Sequence, residues 1–477
     1  MSRPGTCEVS GDRPVTALGP LAARPEIRAV LELLAAWIES QRAYSGLPAL
    51  SIGIVHDQEL VWAAGFGEAD PARHAPATPD TLYRIASITK LFTATSILQL
   101  RDAGALQLDD PVTRHLPWFA VPSRHADAPP ITIRHLITHT SGLPREAAFP
   151  YWTEGDFPTP ERLREGLARQ EAVLPTETRW KYSNLALALA GEVVAAASGE
   201  PYADYVAGHV LQPLGMTSTL VGSPDPADAR LARGFARRLP DGGRAAAPFT
   251  DSRGITAAAN MTTSVSDLAR FAMLQFRGGP AGGAQILRGS TLREMHRVHW
   301  LEPDWQAGWG LGFRVMRIGG KTLIGHGGSV RGYRTLLQIC PAEKLAVIAL
   351  TSADDGNPTL FVDRAFAWLA PALARAAPRE RRVADPEWRR YAGRYRSGWR
   401  DVQVLLMDDG LLIIDPTLPD PMLAPTRLVF ASEHTFRAED TDGYASHGEP
   451  VVFELDAAGR ARRMRVGENY LDAVDTW

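Results

Sequence analysis

The chain has 477 residues, of which 45% are hydrophobic and 22% charged, and its formal net charge is -3 at pH 7. A chain of this length exceeds one ordinary hydrophobic core, so we expect two domains. The nearly balanced charge gives no electrostatic basis for binding nucleic acid or an anionic membrane surface, and we predict neither as a partner.

Cysteine content and the N-terminal region indicate the cellular setting. The two cysteines, Cys7 and Cys340, are too few for a disulfide framework. Residues 1–25 are predicted to form a tail, and the first 22 of them lack the apolar core of a signal peptide. No later run approaches the roughly 18 uninterrupted apolar residues of a membrane span. We therefore expect a cytoplasmic protein without a membrane segment.

The first predicted elements follow an α/β order. Apolar side chains at helical spacing predict a packing helix over residues 26–41. Two apolar runs, 49–55 and 60–64, are separated by four polar residues and indicate a β-hairpin. A second helix is predicted over residues 87–103 (SITKLFTATSILQLRDA), and its apolar spacing indicates that at least one face is buried.

This second helix begins with a serine and a lysine that can cooperate. Ser87 and Lys90 are three residues apart, so they share a helix face. A lysine packed among apolar residues has a lowered pKa and can take the serine proton, and the helix N-terminus favours an oxyanion beside the serine. Ser-x-x-Lys alone also occurs by chance, and a capped helix with a surface lysine explains it equally well.

Two histidines in the stretch TIRHLITHTSGLP raise the question of a metal site. His135 and His139 are four residues apart, the spacing of two ligands on one helix. Leu136 rather than a glutamate follows the first histidine, so the zinc pattern His-Glu-x-x-His is absent. We therefore predict no metal and no cofactor, and expect these histidines to fix a loop by hydrogen bonds.

Two further short elements carry useful side chains. Tyr182 and Asn184 are two residues apart in an extended segment, so they can face one cavity, where a phenol can carry protons and an amide can orient a carbonyl. His326 begins a glycine-rich turn that follows a predicted strand over residues 322–324. A core tyrosine with a capping asparagine, and a glycine turn with a solvated histidine, explain these elements equally well when each is seen alone.

The C-terminal part of the chain changes character. A helix over residues 362–370 is predicted to end near Pro371 and to close a large domain of residues 26–375. Residues 376–390 are rich in charge and proline and are predicted to form a linker. Short alternating runs separated by turns then predict a small all-β, barrel-like domain over residues 391–477.

Taken together and in this order, the three short elements resemble the motif set of the serine β-lactamase and penicillin-binding-protein superfamily. Ser87-x-x-Lys90 resembles the first motif. Tyr182-x-Asn184 resembles the second motif of the class C β-lactamases and of their esterase and peptidase relatives. The HGG beginning at His326 stands where true lactamases usually carry Lys-Thr-Gly.

The resemblance covers residues 26–374 and implies a fold. The expected class is α/β (α+β), a β-lactamase/transpeptidase-like domain with a central antiparallel sheet flanked by helices. The segment YAGRY at residues 391–395 resembles the opening of the lipocalin-like C-terminal domain that some esterase and D-aminopeptidase-like members carry.

The resemblance also implies catalytic roles. Ser87 would be the acyl-forming nucleophile, and Lys90 and Tyr182 would share its proton. His326 would occupy the place of the third-motif lysine.

A second set of residues would contact the substrate. Asn184, Gly327 and Gly328 would line the substrate side of the site. The amides of Ser87 and Ser329 would form the oxyanion hole, which stabilises charge that develops in the transition state.

The departures from the motif set bear on the substrate. A neutral His326 supplies less charge than a lysine for the carboxylate of a β-lactam, and no carboxylate of the class A deacylating kind is evident. We therefore predict a serine hydrolase that acts on small-molecule esters or amides through an acyl-enzyme, with carboxylesterase-type activity.

Other functions stay open at this point. They are a D-stereospecific aminopeptidase or DD-peptidase, a weak β-lactamase and, in another class, a catalytically silent penicillin-binding-like sensor. An α/β-hydrolase is disfavoured because no serine lies in a Gly-x-Ser-x-Gly elbow. The oligomeric state and the natural substrate are not determined by the sequence.

Overall fold

The structure is a computed structural model, and it describes residues 16–279, 282–376, 383–439 and 446–476. The chain divides into two compact units, and the first of them ends at Ala376. Of the predicted linker, residues 377–382 lie outside the described residues, and Pro386–Tyr391 forms a 3₁₀ helix.

The first unit is organised around one large antiparallel sheet. The strands of this unit are β1 (Thr16–Leu18), β2 (Ala49–His56), β3 (Glu59–Asp70), β4 (Ala75–Pro76), β5 (Tyr83–Arg84), β6 (Leu220–Val221), β7 (Met261–Thr263), β8 (Trp300–Leu301), β9 (Ala307–Trp309), β10 (Arg314–Ile318), β11 (Lys321–Val330), β12 (Tyr333–Cys340) and β13 (Leu345–Thr351). The large sheet has the order β1-β3-β2-β13-β12-β11-β10-β9-β8, with β4 paired to β3, while β5, β7 and β6 form a separate small sheet.

Helices cover both faces of the large sheet. They are α1 (Pro25–Ser45), α2 (Thr89–Asp102), α3 (Val112–His115), α4 (Ile133–Thr138), α5 (Tyr151–Glu154), α6 (Pro160–Leu167), α7 (Asn184–Ser198), α8 (Tyr202–Val206), α9 (Gln212–Leu214), α10 (Thr256–Ala259), α11 (Val265–Leu274), α12 (Gly289–His296) and α13 (Pro358–Ala376). Among the described residues, no helix combines the length and apolar character that crossing a bilayer requires.

Strand β13 shows how the sheet separates two cores. Val347 and Ala349 pack with α1 and α13, while Ile348 and Leu350 belong to the core on the opposite face, which contains α2, α7 and α11. Successive strand residues point to opposite faces, so a strand that is buried on both faces reads as one continuous apolar run. The predicted sheet flanked by helices is confirmed, as are the first helix and the β2–β3 hairpin.

The predicted N-terminal tail is wrong in its last part. Thr16–Leu18 forms strand β1, which pairs antiparallel with β3, and Pro20–Ala23 forms a 3₁₀ turn. A sheet edge offers unpaired backbone groups to any extended segment, so pairing does not need an apolar pattern in the added strand. Residues 1–15, with Cys7, lie outside the described residues.

The predicted end of the last large helix is also wrong. Helix α13 continues through Pro371 to Ala376. Leu369 and Leu373, on either side of the proline, are buried in the core that α13 shares with α1. Burial of two leucines offsets the single backbone hydrogen bond that a proline removes from a helix.

The helix that follows Ser87 lies in the middle of the first unit. Ala86–Ile88 forms a 3₁₀ turn that leads directly into α2, so Ser87 occupies the turn rather than the α-helix itself. Every residue from Thr89 to Leu98 is buried, which makes α2 a core helix on all sides.

The glycine-rich third motif lies within a strand, contrary to the predicted turn. His326, Gly327, Gly328 and Ser329 all belong to β11, and they pair in register with β12. Glycine has a low intrinsic preference for strands, but pairing with a neighbouring strand overrides that preference.

The second unit is a closed β-barrel, as predicted. Its strands are β14 (Gly393–Arg396), β15 (Asp401–Met407), β16 (Gly410–Ile414), β17 (Thr426–Ser432), β18 (Thr435–Glu439), β19 (Pro450–Leu455), β20 (Ala461–Val466) and β21 (Asn469–Val474). Strand β14 pairs with β21 and closes the ring. Tyr395, Phe436, Phe453 and Met464 fill its interior, as expected for a small barrel.

We expect Gly328→Ala to destabilise the first unit by about 1–3 kcal/mol, the usual cost of forcing extra volume into a packed region. A Cβ at this position would lie 2.1 Å from Ile85 O and 2.2 Å from Thr335 Oγ1. Urea-induced unfolding of the two proteins measures the difference.

Gly327→Ala is the matched control, because the atom nearest to its Cβ, Thr335 O, would lie 3.6 Å away. Its unfolding free energy should stay within about 0.5 kcal/mol of the parent. Equal unfolding free energies for both variants would contradict this account of the strand contact.

Candidate active site

The predicted site residues come together at one open pocket of about 1040 Å³ in the first unit. The pocket is lined by Ser87, Tyr182, Asn184, His326, Gly327, Gly328 and Ser329, among others. Lys90 is fully buried beneath Ser87. Residues separated by as many as 242 positions in the sequence therefore meet in one place.

Ser87 is presented to the pocket by an unusual backbone. Ala86, immediately before it, has φ +47°, a left-handed conformation that costs a non-glycine residue about 1–2 kcal/mol. Such conformations persist where the surrounding structure enforces them, commonly at functional sites. Ser87 Oγ lies 3.1 Å from Lys90 Nζ and 2.9 Å from the Tyr182 hydroxyl.

The Lys90 amine is enclosed by three oxygen atoms. Besides Ser87 Oγ, its Nζ contacts Asn184 Oδ1 at 2.7 Å and Ala258 O at 2.8 Å. Burial lowers the pKa of Lys90 well below the usual 10.5, although the charge of Glu146 raises it. A neutral amine has two hydrogens for the two carbonyl oxygens and one lone pair, which is left to face Ser87.

The Tyr182 phenol has the opposite electrostatic tendency. Burial raises its pKa above the usual value, and the hydrogen bond with Ser87 lowers it only in part. The phenol therefore keeps its proton and donates it to Ser87 Oγ. These directions favour Lys90 as the base and Tyr182 as the proton donor.

Glu146 is a functional candidate that the sequence motifs missed. Asn184 Nδ2 donates to Glu146 Oε1 at 2.8 Å, which turns the amide oxygen of Asn184 toward Lys90. The Tyr151 hydroxyl donates to the other carboxylate oxygen at 2.5 Å, and Arg145 Nε lies 3.3 Å from Oε1. The only signal in the sequence was a charged pair directly after SGLP.

His326 has a defined tautomer. Its Nδ1 lies 2.6 Å from Gly327 O, and because a carbonyl only accepts, Nδ1 carries the hydrogen. Burial, with a smaller contribution from the Lys90 charge, lowers the pKa of His326 to about 3, so the ring is neutral. Nε2 is buried and has no partner among the described residues, so it is an unsatisfied acceptor.

The edge of β11 is open beside this histidine. Pairing with β10 ends at Gly325, so the strand from His326 onward has no β10 partner. Gly327 and Ser329 are exposed there. The predicted oxyanion hole of the Ser87 and Ser329 amides stays a prediction.

Aromatic rings form the wall next to the tyrosine. Trp180 and Trp309 stack at 4.7 Å between centroids, and the His139 ring lies 4.4 Å from that of Tyr182. His139 Nδ1 accepts from the Ser183 amide at 3.1 Å. This contact confirms that His139 fixes the loop that carries Tyr182.

His135 likewise acts through a hydrogen bond. Its Nδ1 accepts from the Thr132 amide at 3.1 Å, and this completes the cap of helix α4. Across the described ranges, no group of three or more histidine, cysteine, aspartate or glutamate side chains is arranged to hold a metal ion.

The sequence was also compared with models of known protein families, and the result agrees with the geometry of this site. The sequence model of the family described as Beta-lactamase matches residues 34–372, which is more than half of the chain. The chain belongs to this family.

Curated proteins similar to this chain carry names that describe different activities. Beta-lactamase-like protein 2 of Dictyostelium discoideum is 29% identical, over 69% of this chain and 60% of that protein. Esterase EstB of Burkholderia gladioli is 33% identical, over 54% of this chain and 71% of that protein. The D-alanyl-D-alanine-carboxypeptidase/endopeptidase AmpH of Escherichia coli (strain K12) is 30% identical, over 48% of this chain and 57% of that protein. The matches thus span less than two thirds of the first and third relatives, and they support a hydrolase.

Solved structures show the same fold. The octameric penicillin-binding protein homologue from Pyrococcus abyssi has a TM-score of 0.63 at 24% identity, over 92% of this chain and 99% of that one. The D-stereospecific amidohydrolase from Streptomyces sp. has a TM-score of 0.58 at 26% identity, over 70% of this chain and 97% of that one.

We expect Glu146→Gln to shift the acidic limb of the pH profile of kcat/KM to lower pH. Removing the carboxylate charge removes an effect that raises the Lys90 pKa, so the neutral amine persists at lower pH. A glutamine oxygen can still accept from Asn184, which preserves the geometry. Initial rates with one ester substrate across the pH range measure the shift.

Glu302→Gln is the control, because Glu302 lines the same pocket but does not perturb Lys90. Its pH profile should coincide with that of the parent. An unmoved limb in Glu146→Gln, or a shift to higher pH, would rule out this coupling.

Proposed function

We propose that the protein is a serine hydrolase that forms an acyl-enzyme on Ser87, with carboxylesterase-type activity on small-molecule esters. The observation that carries the proposal is the position of Ser87 Oγ, within hydrogen-bond distance of both the Lys90 amine and the Tyr182 hydroxyl at the floor of an open pocket. A serine becomes a useful nucleophile only when a base is placed in this way.

Acylation follows from these contacts. The lone pair of Lys90 takes the proton of Ser87, and Oγ attacks the ester carbonyl carbon. The amides of Ser87 and Ser329 stabilise the resulting oxyanion, a contribution typically worth about 3 kcal/mol for each donor. When the tetrahedral intermediate collapses, Tyr182 gives its proton to the departing alcohol and is reprotonated by Lys90. Water then releases the acid by the reverse sequence.

The neutral state of His326 supports esters as the substrate class. Its bare Nε2 is an acceptor, whereas a lysine at this position would offer donors and a charge. A substrate carboxylate forms no hydrogen bond with such an acceptor, whereas a neutral ester needs no positive charge at this position in order to bind. The likeness to esterase EstB, at 33% identity, agrees with this choice.

A D-stereospecific amidase or DD-peptidase is the second candidate. The open edge of β11 at Gly327 and Ser329 suits the main chain of a peptide, which can add to a sheet edge. Arg314 and Arg334 also line the pocket and have no acidic partner within the described residues. The likenesses to AmpH and to a D-stereospecific amidohydrolase favour this candidate.

A comparison of p-nitrophenyl butyrate, a D-alanyl p-nitroanilide and nitrocefin tests the proposal. We expect the ester to turn over fastest, and Ser87→Ala to reduce that rate by roughly 10³-fold or more, as loss of a catalytic nucleophile does. Initial rates of the parent and the variant are measured side by side.

Each other outcome selects an alternative. A dominant rate on the D-amide would make the protein a peptidase or amidase, and a dominant nitrocefin rate a β-lactamase. If no substrate turns over and no fluorophosphonate labels Ser87, the sensor function is favoured. Ester turnover that survives in Ser87→Ala would refute the assigned nucleophile.

We expect His326→Lys to raise the ratio of nitrocefin to ester kcat/KM by about tenfold, equivalent to ~1.4 kcal/mol of transition-state stabilisation. The new ammonium group would supply the charge that a β-lactam carboxylate uses, and the neutral ester would not respond to it. His326→Gln is the matched neutral control and should leave the ratio nearly unchanged. Equal ratios in the two variants would contradict the role given to this position.

A further inference from the structure

Arg84 is a buried cation that the proposed catalytic steps do not use. It lies in β5, three residues before Ser87, and only 1% of its surface is exposed. Its guanidinium makes two long hydrogen bonds, 3.3 Å to Asn260 Oδ1 and 3.4 Å to Ser252 Oγ. The charge of Asp251 acts on Arg84 without a direct ion pair among the described residues, and Asn260 Nδ2 donates to Asp251 Oδ1 at 2.9 Å.

Arg84 is therefore incompletely paired. Both of these hydrogen bonds come from the same terminal nitrogen, and Nε and the other terminal nitrogen form no hydrogen bond among the described residues. The Phe249 ring covers the guanidinium at 5.0 Å, but a ring does not replace a counter-charge. A buried charge without adequate partners is costly, so an arrangement of this kind favours a bound anion.

A cavity of about 250 Å³ lies beside Arg84 and could admit such an anion. This volume exceeds the space of several water molecules, each of which occupies about 30 Å³ in the liquid. The cavity shares a single lining residue, Arg331, with the candidate active site. It is thus distinct from the pocket that contains Ser87.

The acidic residues at this cavity are already neutralised. Asp70 pairs with Arg73 at 3.5 Å, and Asp228 pairs with Arg230 at 2.8 Å. Neither carboxylate is within ion-pair distance of Arg84 in the described chain. The cavity therefore keeps a surplus of positive charge.

Two further arginines contribute to that surplus. Arg233 lines the cavity and is exposed, and its side chain has no hydrogen bond or ion pair in the described ranges. Arg331 lines it as well, and within the described part of the chain its side chain donates only to the neutral carbonyl oxygens of Trp152 and Thr153. Together with Arg84, they add three arginines to the lining that have no ion pair within the described residues.

We propose that this cavity binds a small oxyanion, such as inorganic phosphate or the carboxylate of a small acid, between Arg84 and Arg233. A guanidinium presents a planar fork of N–H donors that matches two oxygens of one anion, which a spherical chloride ion cannot use. The site does not depend on the activity proposed for Ser87, and it lies at the strand that leads into the nucleophile turn.

Thermal unfolding of the full-length protein in increasing sodium phosphate tests the proposal, with the ionic strength held constant by sodium chloride. A ligand that binds only the folded state raises the unfolding midpoint in a saturable way. We expect such a rise for the parent, and the same rise for Ser87→Ala because the binding site is separate from the nucleophile. Acetate in place of phosphate shows whether a carboxylate is also accepted.

Arg233→Glu should weaken the apparent phosphate affinity by about tenfold or more, because it replaces an attractive charge with a repulsive one. Arg84→Lys keeps the charge but removes the fork, and it should also weaken the response. Arg317→Glu makes the same charge change at an exposed position outside the cavity and should respond like the parent.

The proposal is overturned if the parent shows no saturable rise, or if chloride produces the same rise as phosphate. It is also overturned if Arg233→Glu responds as the parent does, because phosphate would then bind elsewhere. Arg233 is exposed, so this variant remains informative even if Arg84→Lys fails to fold.

Discussion

The burial of the Lys90 amine is the constraint on which the site depends. Three oxygens surround it, from Ser87 in the turn before α2, from Asn184 on α7 and from Ala258 in α10. A charged ammonium in this place would be costly, whereas a neutral amine satisfies two carbonyls and keeps a lone pair for the serine. Helices α7 and α10 must therefore pack on α2 to enclose the amine beside Ser87, so the surroundings of Lys90 depend on tertiary packing.

The same packing holds the serine in position. Ala86 keeps a left-handed backbone because Ile85 is fixed on both sides, its amide donating to Met261 O and its carbonyl accepting from Thr335. Gly328 of β11 lies against that carbonyl, where any side chain would collide. The open edge of β11 and the turn that carries Ser87 are thus in direct contact.

Two side chains near this contact have charge states that burial explains. His326 of the third motif is a neutral hydrogen-bond acceptor, where true lactamases usually carry a lysine. The pocket therefore has no positive charge at this position. Three residues before Ser87, the buried charge of Arg84 is incompletely paired within the described residues, which is the basis for the proposed oxyanion site. Both features arise from burial, which makes neutral histidine favourable and an unpaired guanidinium costly.

The sequence by itself determined the elements that depend on local spacing. Ser87 and Lys90 meet because they are three residues apart, and the apolar periodicity of α1 and the alternation in the barrel are likewise local. Only the tertiary structure decided that β1 joins the sheet, that α13 passes Pro371, that the glycine motif lies in β11 and that Glu146 orients Asn184. These features rest on contacts between segments distant in the chain, whose energies override local preference.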